Sequence, residues 1–211
     1  VDFVHFAEMG VVEEDAEADI ALVEGSISTA HEVARIAAVR KASRYVIAIG
    51  ACATSGGIQA LRNVADAPAW TRAIYASPEH ISVLDRVTPL SAHVHVDLEL
   101  WGCPVNARQV LGAIRDLLSG VAPVQNHDKV CMECKRIGVV CVVVAKGLPC
   151  MGPVTQTGCG ALCPAQGRDC YGCFGPAERA NSGSLAAQTG PLEFTRSTGV
   201  FDSTSAPAAG F

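Results

Sequence analysis

The stretch DIALVEGSISTAHEVARIAAVRKASRYVIAIG, residues 19–50, decides the fold. Its apolar run from Asp19 to Val23 stops abruptly at Glu24-Gly25-Ser26, as a buried strand does. From Thr29 to Ser43, Val33, Ile36, Ala37 and Val39 recur at helical spacing among His31, Glu32, Arg35, Arg40 and Lys41. Ser28 or Thr29 stands where a helix cap is needed. Tyr45 to Ile49 is then apolar without a break until Gly50, too continuous for a strand with one face in water. Strand, helix and strand in this order predict an α/β fold, with a parallel sheet covered on both faces.

Outward from this unit the pattern is less regular. Val1 to Phe6 is short and β-branched, and reads as a further buried strand. Beyond Gly50 comes an irregular stretch through Trp70 and Pro78, then the alternation His93 to Leu98, which predicts a strand leading into Trp101-Gly102-Cys103-Pro104. Val105 to Ser119 follows as a second amphipathic helix, with Pro104 near its first turn and Gly120 as its stop. His93 and His95 share one face of the alternating run and read as packing or surface residues. Trp70 and Trp101 read as interface or core aromatics. Glu24 reads either as a solvated loop acid or as a carboxylate near a functional turn.

With 21 acidic and 16 basic side chains among 211 residues, the net charge is −5, and no long Lys/Arg run appears. No nucleic-acid surface is expected. Apolar residues make up 49%, yet no run approaches the roughly 20 uncharged residues of a transmembrane helix. No secretory pattern opens the chain, so a cytoplasmic setting is expected, where thiols stay reduced.

That matters because the ten cysteines are unevenly spread. Cys52 and Cys103 stand alone, while Cys131, Cys134, Cys141, Cys150, Cys159, Cys163, Cys170 and Cys173 crowd one stretch rich in glycine and proline. Such a stretch closes no hydrophobic core unaided, so bound metal is expected to cross-link it. Eight thiolates serve two four-iron cubes at four ligands each. The Cys-x2-Cys pairs at either end reach neighbouring corners, and the longer intervals wrap the chain around the rest. Two four-cysteine zinc sites and a disulfide framework are the competing uses of the same residues. Cys52 and Cys103 each follow a glycine-containing turn at the end of an expected strand, where open α/β sheets hold their ligands. Each reads either as a ligand or as a small buried apolar residue.

Cys131-Met132-Glu133-Cys134, Leu148 to Thr155, Gly158 to Pro164 and Cys170 to Pro176, preceded by Val23 to Ser26, Gly50 to Ala53 and Gly102 to Pro104, resemble the small subunit of nickel–iron hydrogenases. The resemblance is to the cytoplasmic, NAD(P)-linked branch. It implies a flavodoxin-like domain over residues 1–122, a small irregular iron–sulfur domain over 123–180, and an extended tail over 181–211. It implies a proximal 4Fe–4S cluster with Cys52 and Cys103 among its ligands. The other two would come from an early Cys-x2-Cys pair, so a segment preceding Val1 is expected in the natural chain.

By the same resemblance, Cys131, Cys134, Cys141 and Cys150 would hold a distal cluster and Cys159, Cys163, Cys170 and Cys173 a medial one. His127 is then a loop residue. The implied role is electron transfer without a catalytic residue of its own. Electrons would pass between a nickel–iron large subunit and a flavin- and NAD(P)-binding diaphorase, with an additional iron–sulfur subunit in the assembly. An iron–sulfur subunit of a quinone-reducing complex and a zinc-stabilised assembly module remain as alternatives.

Overall fold

A computed structural model describes residues 1–13 and 16–189. Among them, β3 (Ala18–Val23), β4 (Ser43–Ile49) and β5 (Leu98–Leu100) form a parallel sheet in the order β3-β4-β5. Helix α1 (Ala30–Ala42) makes the crossover from β3 to β4. The predicted cap is Thr29: its hydroxyl accepts the Glu32 N–H, and the Glu32 carboxylate accepts the N–H groups of Thr29 and Ser28. Those donors hold the Glu32 carboxyl below its ordinary pKa although its partial burial, the largest influence, acts the other way.

The central strand β4 is covered on both faces because its side chains alternate. Ala48 packs with Ile36 of α1, Ile27, Ala53 and Leu90 on one side. Ile47 packs with Leu100 and with Ala113 of α4 (Ala107–Leu118) on the other. Val46, Ile47 and Ala48 are completely shielded from solvent. The parallel sheet covered on both faces that residues 19–50 predict is therefore present, with β4 as its axis.

Three expectations fail locally. Val1 to Phe6 is not a buried strand: only β1 (His5–Phe6) pairs, antiparallel to β2 (Val11–Val12), and Val1, Phe3 and Phe6 are exposed. The alternation from His93 is not a strand up to Leu98. A 3-10 turn over Leu90–Ala92 ends at His93, and pairing starts only at Leu98. Asp97 takes the Val46 N–H at 2.8 Å and pairs with Arg40 of α1, and its own N–H donates to Val46 O at 2.9 Å, so the chain joins β4 at that residue. Between β4 and β5 lie two helices not foreseen, α2 (Gly50–Ser55) and α3 (Ala67–Ile74), with a 3-10 stretch Gly57–Val64 between them.

The cysteine-rich stretch contains the short helices α5 (Val130–Arg136), α6 (Val142–Lys146) and α7 (Leu162–Ala165). It has a small core of its own, with Val130, Val142, Met151, Val154 and Ala161 beside Cys150 and Cys170. Leu185, from α8 (Ser182–Thr189), completes that core where an extended tail was expected. The remainder of that expected tail, residues 190–211, lies outside the described residues. The cysteine-rich part is joined to the sheet by polar and aromatic contacts. Asn106 Nδ2 donates to Gly158 O at 2.7 Å, Gln125 Nε2 donates to Glu99 O at 2.6 Å, and Gly175 lies flat against Trp101.

Candidate metal centre

Cys52 and Cys103 occupy neighbouring turns. β4 passes directly into α2 at Gly50, and Ala51 N–H donates to Gly102 O at 2.9 Å, tying the turn after β4 to the turn after β5. Gly50 has φ +84°, and a Cβ added to it would lie 3.3 Å from Gly102 O. Only glycine allows both the conformation and the approach. Cys52 sits in the first turn of α2 and its Sγ lies 3.4 Å from Gln59 Oε1. Cys103 is exposed and is followed by a cis peptide to Pro104. Both thiols thus stand past the carboxyl ends of parallel strands.

The remaining eight lie together in the cysteine-rich unit. Cys131 and Cys134 lie one turn apart on α5, Cys141 immediately precedes α6, and Cys150 is buried below them. Burial, then the charges of Cys150 and Cys141, push the Cys131 thiol up. Burial, then Cys131, Cys150 and Cys141, push Cys134 up to about 11. Cys131 and Cys134 therefore both lie within electrostatic reach of Cys141 and Cys150.

Cys173 is raised by burial and by Cys159, Cys163 and Cys103, against the Cys103 N–H, which favours its thiolate. Cys159 is raised by burial and by Glu133, against the N–H groups of Leu162 and Ala161. Cys170 is pushed up to about 12 by burial, with Cys150 and Cys159 adding, while Gly172 N–H and the Thr155 hydroxyl oppose. Its own N–H donates to Cys150 Sγ at 3.3 Å, so Cys170 touches both sets.

This donor set fits iron–sulfur cubes. A Cβ added to Gly152 would lie 3.4 Å from both Cys131 Sγ and Cys150 Sγ, so the glycine keeps the space beside two thiols clear. Backbone N–H groups reach the sulfurs of Cys150, Cys159, Cys170 and Cys173, the hydrogen-bonding pattern that stabilises cluster thiolates. Thiols whose pKa rises through burial and mutual repulsion stay protonated alone, and cationic iron displaces those protons on binding. Among the described residues no three His, Cys, Asp or Glu side chains converge as around a single ion. A cube takes one thiolate per corner and spreads its ligands more widely.

Other expected residues fall outside this centre. His93 is exposed and bonded to the Thr88 hydroxyl at 2.7 Å; His95 and His127 are exposed, as is Glu24. Trp70 is exposed on α3, while Trp101 packs at the junction with Gly175. Reading the cysteines alone missed Glu133, whose carboxylate accepts the Ala161 N–H at 3.0 Å, and Thr155, buried beside Cys170. The available signal was their place inside the ligand motifs, Glu133 between two cysteines and Thr155 closing the run from Cys150.

A model of the NADH ubiquinone oxidoreductase 20 Kd subunit family matches residues 2–117. The chain belongs to that family. It is 37% identical over 158 residues to Sulfhydrogenase 2 subunit delta of Pyrococcus furiosus, an alignment spanning 75% of this chain and 66% of that protein. It is 32% identical to a vhu subunit of the F420-non-reducing hydrogenase of Methanococcus voltae, over 84% of this chain and 72% of that one. These alignments run beyond the family match into the cysteine-rich stretch. The chain spans about two thirds of the length of the Pyrococcus relative. A solved actinobacterial-type NiFe-hydrogenase from Ralstonia eutropha H16 shares the fold, with a TM-score of 0.50 at 19% identity over 90% of this chain and 71% of that one. Within the family, this chain is of the hydrogenase small-subunit type.

Proposed function

We propose that this chain is the electron-transfer subunit of a nickel–iron hydrogenase, carrying electrons between a large subunit and a redox partner through clusters held by its cysteines. The observation that carries the reading is that Cys131 and Cys134 both lie within reach of Cys141 and Cys150, with Gly152 keeping room against the sulfurs of Cys131 and Cys150. Cys159, Cys163, Cys170 and Cys173 are assigned to a second 4Fe–4S cluster. Cys52 and Cys103 are assigned to a third, beside the large subunit. Bound clusters supply one-electron carriers at these places.

The chain's own residues do the rest. They bury the thiolates, direct N–H groups at them and set the spacing between sites. The Cys103 N–H bonded to Cys173 joins the strand-end turn to the second unit. Around the Cys52 turn, Ile58, Val64, Trp70 and Ile74 are exposed, an apolar surface suited to a subunit interface. At the far end Cys141 is exposed between Val140 and Val144, with Lys135, Arg136 and Lys146 nearby in sequence. This is the proposed exit toward the partner.

The partner is proposed as a flavin- and NAD(P)-binding diaphorase with an additional iron–sulfur subunit, in the cytoplasm. No helix among the described residues is long and apolar enough to cross a membrane. The name F420-non-reducing, borne by several relatives, says nothing of NAD(P), so the acceptor is measured rather than carried over. The family, that of the NADH ubiquinone oxidoreductase 20 Kd subunit, also favours a second reading, a quinone-reducing complex subunit. Its match ends at residue 117, before all eight clustered cysteines.

The test uses the native complex purified without oxygen, with Cys141→Ser and Cys170→Ser introduced singly. Each variant should lose or alter one cluster signal and most hydrogen-dependent reduction of the physiological acceptor, while nickel content stays constant. Unchanged hydrogen-dependent NAD(P) and dye reduction in both variants would refute the electron path.

A further inference from the structure

Helix α5 carries ligands of one cysteine group and an arm that reaches the other. Glu133, between Cys131 and Cys134, is turned inward. Its Oε2 accepts the Ala161 N–H at 3.0 Å and lies 4.0 Å from Cys159 Sγ. Ala161 has no solvent exposure and holds φ +53°, a left-handed conformation that side chains with a Cβ rarely adopt. It stands midway between Cys159 and Cys163 and immediately precedes α7. A buried residue in that conformation persists only where its surroundings hold it, and the Glu133 carboxylate supplies such a hold.

We propose that Glu133 is a positioning residue linking the two cluster sites: from the helix that bears Cys131 and Cys134 it fixes the turn that presents Cys159 and Cys163, and keeps a negative charge beside Cys159. The inference rests on the reading that these cysteines hold two clusters.

Two consequences follow from one side chain. As an anchor, the carboxylate couples assembly of the sites, because α5 must be in place before the Cys159 turn is held. As a charge, it opposes addition of an electron to the cluster next to Cys159 and so lowers that cluster's reduction potential relative to a neutral neighbour. The roles separate chemically. Glutamine keeps an oxygen that accepts the Ala161 N–H and removes the charge, whereas alanine removes both.

The experiment compares the full chain, isolated without oxygen with its clusters, with Glu133→Gln, Glu133→Ala and, as a marker for the Cys159 side, Cys159→Ser. Iron and inorganic sulfide per chain are measured, and each cluster is titrated by potentiometry with electron paramagnetic resonance. Glu133→Gln should retain full iron and ease reduction of the Cys159-side cluster by about tenfold, an upward shift of about 59 mV for one electron. Glu133→Ala should lose iron toward the level of Cys159→Ser and keep the signal of the Cys131 side. Wild-type iron content and potentials in both variants would overturn the proposal, as would joint loss of both clusters in Glu133→Gln. A parent chain without iron and sulfide would instead sink the reading beneath it.

Discussion

Gly57 leaves no room for a side chain beside Cys52. A Cβ there would stand 2.6 Å from Cys52 Sγ and 2.9 Å from its Cα, at a φ of +60°. Backbone strain and overpacking act together, so Gly57→Ala should destabilise the chain by about 1–3 kcal/mol. Gly112→Ala is the control: it lies within α4 with nothing inside 4 Å of the added carbon, and should stabilise by about 0.5–1 kcal/mol. Thermal melting of both checks the contrast. The cysteines predict a pH effect at the same scale. In metal-free chain the thiols of Cys134 and Cys170 are pushed up to about 11 and about 12, chiefly by burial, whereas unfolded thiols titrate near ~8.5. The folded form therefore holds its protons longer. Stability is full below about pH 8.5 and declines as pH rises toward 11–12. Denaturant titrations that gave the same midpoint from pH 8 to pH 11 would contradict it.

At the scale of elements, Asp97 joins α1, β4 and the entry to β5. It accepts the Val46 N–H at 2.8 Å and pairs with Arg40, whose guanidinium also donates to Ser43 O at 2.7 Å. Asp97→Ala strands a main-chain donor and should cost about 1–3 kcal/mol, read by chemical denaturation, with Asp97→Asn retaining part of it. Asp97 also shows where sequence reading reaches its limit. β3, α1 and β4 were legible because apolar runs, helical spacing and the Thr29 cap agree with one another. The alternation of His93, Val94, His95 and Val96 carried the same local signal. Yet Val94 and Val96 pack against the α1-side core without pairing, since a tertiary bond at Asp97 governs where the chain joins the sheet. Helix α2 was hidden for a different reason: Gly50 to Ser55 is too short for periodicity and is nucleated by the turn that presents Cys52. Helix α8 was equally silent, because it is a Ser- and Ala-rich segment whose buried residue in the second core is Leu185 among the described residues.

For the molecule as a whole, the arrangement is a three-stranded parallel sheet joined through Trp101, Asn106 and Phe174 to a unit whose core is small and threaded by thiols. That eight cysteines gather in one small unit was legible, since they crowd one stretch of the sequence. Their neighbours were not, because Glu133 acts through a contact between segments 28 residues apart and Thr155 through burial. The division of the eight into two sets was less legible still: Cys170 lies within reach of both Cys150 and Cys159. Metal analysis of the whole assembly bears most directly on the central claim. On the proposed assignment of two clusters to this chain's second unit, the native complex, isolated without oxygen, should contain about eight iron and eight inorganic sulfide in excess of whatever its other subunits hold. It should also show reducible cluster signals that disappear stepwise in the cysteine variants. Stoichiometric zinc with no sulfide attributable to this chain would contradict it.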